Sequence, residues 1–424
     1  MSDIDPGTLG SESTGEKIDG SSPEGIQVDL GGDPPSPETI DTANKRLDDG
    51  VNRCPACGAT DIQLRPSTGM LACLFCRHEW AEEKIEDTIA GSGSLQDLKG
   101  TQVASGASDI ALDADKVLTL KCGGCGSEVV VNINETTSSR CHWCRHMLTI
   151  NEQVPNGAVP DALLPFALTR EQAIEKIKNF AGKRRLFAHR KFKDEFSPEN
   201  VVGVYLPYMI IDSNASADVA GKGEILPRQY TRGTGDNKET FYDADVYEVT
   251  RHVDFTVDDL IIESSAERAN MNAFVNTNNV INTILPFDTK NAVQWNANYL
   301  VGFTSEKRDK DTSAVQPVLE HQLLSIARSE VLPSAKAYDR GVRWETERID
   351  IHGTRWVSMY LPVWLYSYYH VERGRPMVHY IAVNGRTGET MGSVPVSHSR
   401  LLIAALTGGT VVQSVALAIL WASV

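Results

Sequence analysis

The chain has 424 residues, 41% of them hydrophobic, with 41 basic against 56 acidic side chains and a formal net charge of −15. Such a chain can bury a sizeable core, is not wholly disordered, and is too acidic for a protein whose main work is wrapping nucleic acid. All eight cysteines fall between Cys54 and Cys144, which excludes the even spread of a disulfide-stapled secreted domain.

Residues 1–50 contain twelve acidic and three basic residues among many Gly, Ser and Pro. They bury too little to offset the entropy of ordering, and predict a disordered acidic tail. The opening residues carry neither a basic nor an apolar run of the kind a signal peptide needs, so the N-terminal part is expected in the cytosol.

An internal repeat dominates the next hundred residues. Cys54-x-x-Cys57 is followed after fifteen residues by Cys73-x-x-Cys76, and Cys122-x-x-Cys125 after fifteen by Cys141-x-x-Cys144, each cysteine recurring at an offset of 68. Gly58, Arg77 and His78 recur as Gly126, Arg145 and His146. Two thiolates on each of two tight turns, joined by a hairpin-length connection, make a closed four-sulfur set matched to Zn²⁺. Iron uses the same ligands, and a pair of disulfides per module is the remaining alternative. Four protein ligands leave no position for water or substrate, so two structural zinc ions are expected, replacing the core that such small modules lack. His78 and His146 are alternative ligands, but with four cysteines in each set they read, with Arg77 and Arg145, as partners of thiolate charge. Gly58 and Gly126 are placed for the left-handed residue that follows a knuckle. The expected ribbons are residues 51–82 and 117–152, with residues 83–116, rich in Gly, Ser and Ala, as a flexible linker.

Residues 160–397 have the composition of a globular α+β body that repeats itself over about 160–280 and 281–397. Leu164-Pro165-Phe166 precedes a helix capped by Thr169 with Gln172 closing a capping box and Ile174, Ile177 and Phe180 on one face. Leu285-Pro286-Phe287 precedes a second candidate helix through Trp295 and Tyr299, capped by Asp288 or Thr289. Tyr205-Leu206-Pro207 and Tyr360-Leu361-Pro362 then sit in matching strand-like runs. A third helix is predicted over Pro317–Val331, and Asn384-Gly385 predicts a hairpin turn. Residues 401–424 are uncharged, ~36 Å as a helix against a hydrocarbon core of about 30 Å, and predict a transmembrane helix with the body on the cytosolic side.

The basic run Lys183, Arg184, Arg185, Arg190, Lys191 and Lys193 suits a solvated helix end, an acidic protein or lipid headgroup partner, or nucleic acid. Residues 51–90 hold four basic and six acidic residues, which does not favour nucleic acid at the first ribbon. No Gly-rich phosphate loop, His-Glu-x-x-His or Gly-x-Ser-x-Gly is present, and Asp243, Asp245, Glu248, Asp258 and Asp259 read as strand edges and turns, so no enzyme is expected.

The paired ribbons, the Leu-Pro-Phe and Tyr-Leu-Pro segments and the hydrophobic end, taken together, resemble a family of bacterial membrane proteins common in actinobacteria, the transcription factor IIB type zinc-ribbon proteins. The resemblance covers most of residues 51–424. It implies eight zinc ligands at the cysteines named above and a cytosolic body attached to the membrane, where the chain's own hydrophobic end predicts a single pass of the cytoplasmic membrane. The expected function is a membrane-tethered zinc-ribbon adaptor that recruits or scaffolds a protein complex, a phage-tail-like contractile injection apparatus being one conceivable client. A membrane-linked nucleic-acid-binding regulator of transcription or replication is the alternative. No small-molecule substrate is evident.

Overall fold

The computed structural model describes residues 37–40, 53–59, 61–89, 93–108, 117–121, 128–132, 139–140, 147–148, 153–154, 160–184, 186–197, 200–232, 239–265, 284–306, 308, 310–372, 375–397, 400–402, 405–406 and 413. The strands in chain order are β1 (Glu38–Ile40), β2 (Ile62–Arg65), β3 (Met70–Cys73), β4 (Glu79–Trp80), β5 (Gly100–Ala104), β6 (Val117–Lys121), β7 (Glu128–Asn132), β8 (Ser139–Arg140) and β9 (Met147–Leu148). There follow β10 (Gln153–Val154), β11 (Ala162–Leu163), β12 (Val201–Arg232), β13 (Glu239–Glu263), β14 (Val293–Gln294), β15 (Thr304–Glu306), β16 (Val342–Glu372), β17 (Arg375–Asn384) and β18 (Thr390–Gly392). The α-helices of more than isolated residues are α1 (Ile85–Ile89), α2 (Ser105–Ser108), α3 (Arg170–Lys183), α4 (Arg190–Glu195) and α5 (Thr312–Val331).

Two very long strands organise the body. β12 and β16 pair antiparallel from Val201↔Tyr366 to Gly223↔Val342, and each has a second edge shared out among other strands. β16 meets β5 at 353–356, β11 at 359–360 and β17 at 363–372. β12 meets β15 at 204–205 and β13 from Tyr208 to Arg232. At the centre both faces are covered, so the strands read as continuous apolar runs instead of alternating ones. Leu206, Tyr208, Met359 and Leu361 point into one core, whereas Tyr205, Tyr360 and Trp364 point into another on the opposite face. Helix α3 covers the second face, and α5 extends that cover toward the hairpin end by packing Leu319 and Leu323 on Met209, Ile211 and Trp356. The other face is closed by α1 and by Ile284, Phe287 and Ala292.

This large mixed sheet corrects the expected architecture of a duplicated α+β body. The two Tyr-Leu-Pro segments do not sit in separate halves: Tyr205 faces Pro362, Leu206 faces Leu361 and Pro207 faces Tyr360, so the two similar segments pair with each other inside one sheet. The second expected helix is also absent among the described residues. Thr289–Asn291 and Ala297–Leu300 form only 3₁₀ turns, because Val293-Gln294 between them is taken up as a strand against β11 and the Trp295 N–H donates to Asp161 O. Tertiary pairing overrides the local signal there. The other local expectations correspond to what is observed. Thr169 and Gln172 form a complete capping box on α3, which buries Ala173, Ile177 and Phe180. α5 begins five residues earlier than Pro317, where the Asp311 side chain accepts from the Ala314 N–H.

Among the described residues no helix is long and apolar enough to cross a membrane. The expected transmembrane helix over 401–424, and with it the single-pass placement at the cytoplasmic membrane, is therefore withdrawn; most of that segment lies outside the described residues. Within the stretch expected to be linker, β5 joins the large sheet beside β16, and α2 is held by Asp161 and Arg308. Gly106 N–H donates to Asp161 Oδ1 at 2.5 Å, and buried Arg308 donates to the carbonyls of Gly106 and Ala107. Even the acidic tail contributes β1, parallel to β5.

Leu361 is fully buried opposite Leu206. Truncating it in Leu361→Ala should cost about 2–5 kcal/mol in denaturant unfolding, while a surface change such as Lys178→Ala should stay within about 0.5 kcal/mol.

Candidate metal centre

The first ribbon is a three-stranded sheet, β2-β3-β4, with two turns of one backbone design at its end. In the first, the Gly58 N–H donates to Cys54 O at 2.8 Å and the Cys54 N–H to Ala59 O at 2.8 Å. In the second, the Arg77 N–H donates to Cys73 O at 2.9 Å and the Cys73 N–H to His78 O at 2.9 Å. The residue after each second cysteine is left-handed, Gly58 at φ 73° and Arg77 at φ 62°. Gly58 carries this at no steric cost, but Arg77 does not. Its position in the turn, not pairing with thiolate charge, is what the geometry makes evident.

The turns bring four sulfurs together. Cys54 Sγ lies 3.6 Å from Cys76 Sγ, Cys57 Sγ lies 3.6 Å from Cys73 Sγ, and all four fall within 4.8 Å of one another. A tetrahedron with metal–sulfur bonds of about 2.3 Å has edges of about 3.8 Å, so the set can hold one metal ion. Backbone N–H groups of Cys76 and then Phe75 donate to the Cys73 sulfur and draw its pKa down to about 7 against the cost of burial. Cys57 receives the Ala59 N–H, yet burial and the neighbouring thiols push it up to about 12. One thiolate forms readily and the next is opposed by it, a conflict that a cation at the centre removes. His78 lies outside the sulfur cluster and stacks on Trp80 at 5.8 Å.

This ribbon is not an isolated module. Ile62, Leu64 and Leu71 belong to the same core as Leu163, Phe166, Tyr205, Tyr299 and Trp364 of the body. The Glu82 N–H donates to the Tyr299 hydroxyl at 3.3 Å, and Asn296 Nδ2 donates to Glu82 Oε1 at 2.9 Å. The opposite end remains open: Leu74 and Phe75, between the second pair of cysteines, are 57% and 81% exposed. The second set, Cys122, Cys125, Cys141 and Cys144, lies outside the described residues. Near it, β9 at Met147–Leu148 stands 68 residues after β4 at Glu79–Trp80 and pairs with β8 as β4 pairs with β3, whereas β7 joins the large sheet beside β6 and β15.

The basic run is divided between two helices. Lys183 ends α3, Arg184 caps it with its guanidinium 3.5 Å from the Phe180 ring centre, and Arg190, Lys191 and Lys193 lie in α4, with Arg185 outside the described residues. Phe192 between them is buried. Cations at the end of α3 suit its dipole.

A second cluster went unread in the sequence. Where β13 bulges between its pairings with Ile211 and Ser213, Asp258 and Asp259 come within 4.8 Å of Asp212, with Asp259 at φ 54°. They line a cavity of about 200 Å³ with Glu86, Thr289, Arg355 and an apolar floor that includes Ile89, Ile210 and Met359. Burial is the main reason that the Asp212 carboxyl is raised to about 6, opposed by the Asp259 N–H and by Arg355, whose Nη1 is 3.3 Å away. Burial likewise raises Asp259, opposed by a hydrogen bond from Thr289. Adjacent aspartates were visible; a partner 46 residues upstream was not.

Four cysteines on paired turns of a small sheet form a set that could hold one metal ion, built here into a large mixed-sheet body. In comparisons with known proteins, no protein-family model and no solved structure matches the chain. It is similar to a Bacillus subtilis (strain 168) protein described as "Uncharacterized protein YdjG", 22% identical over 361 residues, which cover 84% of this chain and 94% of that protein.

The strained Arg77 gives a signed expectation: Arg77→Gly should stabilise the ribbon by a few tenths to about 1 kcal/mol, and Gly58→Ala should destabilise it by about 1 kcal/mol, in metal-competition or unfolding titrations. The acid cluster gives a pH signature. Because the folded-state pKa of Asp212 is raised, its contribution to stability is full below about pH 4 and lost as pH rises through about 6. Asp212→Asn should therefore gain on the wild type between pH 4 and pH 8, by on the order of 2 kcal/mol, in paired denaturation curves.

Proposed function

We propose that the protein is a zinc-ribbon adaptor, in which two structural Zn²⁺ ions, one held by Cys54, Cys57, Cys73 and Cys76 and one by Cys122, Cys125, Cys141 and Cys144, order ribbons that dock other proteins onto the sheet body. The observation that carries this is the pairing of a closed four-sulfur set with an exposed apolar tip. A metal enclosed by four protein ligands offers no place for substrate, so its work is to hold shape. The shape it holds at Cys73–Cys76 presents Leu74 and Phe75 to solvent. Large apolar side chains fixed on a rigid turn are the usual centre of a protein contact. Trp143 occupies the position of Phe75 in the second set, offset by 68.

Reduced, purified full-length chain should carry two equivalents of zinc by elemental analysis. The double variant Cys57→Ser with Cys125→Ser should lose both. Phe75→Ser should keep its zinc yet lose proteins that crosslink to the wild-type chain in native extract. Less than one zinc per chain, or an unchanged crosslinking pattern in Phe75→Ser, would sink the reading. A salt-dependent complex with DNA or RNA that requires Phe75 would turn it toward nucleic acid.

A further inference from the structure

β12 and β13 continue as a hairpin well beyond the covered part of the sheet, with pairing out to Arg232↔Glu239. β13 is 25 residues long, and among the described residues no strand pairs with its outer edge. An edge of that length carries a row of backbone N–H and C=O groups able to take another strand. Its charged side chains are mostly acidic, eight carboxylates against Arg251 and His252, with Arg228 and Arg232 of β12 facing Asp243 and Glu239 on the inner side. β13 is regular between Glu239 and Asp254, since the nearby irregularity falls on β12, where two residues, Leu226 and Pro227, stand against one. Phe241, Asp243, Asp245 and Tyr247 therefore follow one another on a single face.

We propose that the outer edge of β13 is a docking strand for a basic extended segment of a partner protein, which adds to the sheet with Arg or Lys at alternate positions opposite Asp243 and Asp245 and apolar residues on either side. Cross-strand neighbours sit about 5 Å apart, so two cations spaced by two residues each meet one of these carboxylates. Charges that serve only to keep an edge apart do not need large apolar neighbours, yet Phe241, Val246 and Tyr247 are 38%, 57% and 45% exposed. A second copy of the chain is a poor occupant, because edge-to-edge pairing of two β13 strands sets a strand with eight acidic residues against its like. The chain's own residues 1–36 are repelled too, having eight acidic residues and one basic. The proposal does not depend on zinc or on Phe75.

The test uses the purified full chain and a fluorescein-labelled peptide of alternating threonine with a central pair of arginines flanked by valines, read by polarisation at physiological salt. A control peptide of equal charge is N-methylated along one backbone edge. The wild type should bind the first peptide at least about tenfold more tightly than the control, and saturation should slow amide exchange in residues 239–257. Asp243→Lys with Asp245→Lys, both exposed, should lower the affinity about tenfold or more with zinc content and unfolding midpoint unchanged. Equal binding of the two peptides, no change in the charge-reversed variant, or no binding would overturn the proposal. None of these results bears on the adaptor reading, whose readouts are zinc content and Phe75.

Discussion

Antiparallel pairing of β12 with β16 over residues buried on both faces is the constraint on which the rest of the molecule depends. Every other strand of the body takes its place on the outer edge of one of these two, or on a strand already placed there. Because successive side chains point to opposite faces, a one-residue slip would move Leu206 and Leu361 into the space of Tyr205 and Tyr360, and neither core would accept the exchange. Glycines fix the same register from outside. A Cβ on Gly203 would come within 2.4 Å of the Phe303 ring, and one on Gly353 within 2.4 Å of the Leu98 backbone, where the chain leading into β5 crosses β16.

Attachment of the first ribbon changes what a metal at its four cysteines would mean for stability. A ribbon of this size ordinarily relies on the ion in place of a core. Here Ile62, Leu64 and Leu71 complete a core shared with the body, while the sulfurs sit at the far end with exposed Leu74 and Phe75. A metal held there would shape the tip, while the apolar face of the same small sheet is held by Phe166, Tyr299 and their neighbours. Mechanical continuity from tip to sheet follows from that division.

Local chemistry was the part most legible in the sequence. The Thr169–Gln172 box, the apolar stripe of α3, the turn after Asn384 and the sulfur set all depend on spacings of a few residues, or on ligands whose chemistry allows few arrangements. What failed depends on distant partners. Val293-Gln294 is a strand only because β11 lies beside it, and β5 is ordered only because β16 offers an edge about 250 residues later. The Tyr-Leu-Pro repeat was visible, but a repeat does not say whether its copies close separately or pair with each other. Asp212 was hidden for the same reason: its nearness to Asp258 and Asp259 is created by the hairpin and its bulge.

The contact between Gln102 and Arg355 spans 253 residues of chain. At a synthesis rate of about 5–20 residues per second, the ribosome needs roughly 10–50 s to pass from one to the other. During that time β5 lacks the β16 edge it joins in the sheet, and Ile62, Leu64 and Leu71 lack the later side chains of their core. The first third of the chain is therefore exported from the ribosome tunnel well before its own fold can be completed. How long its apolar surface waits for these partners is set by translation speed.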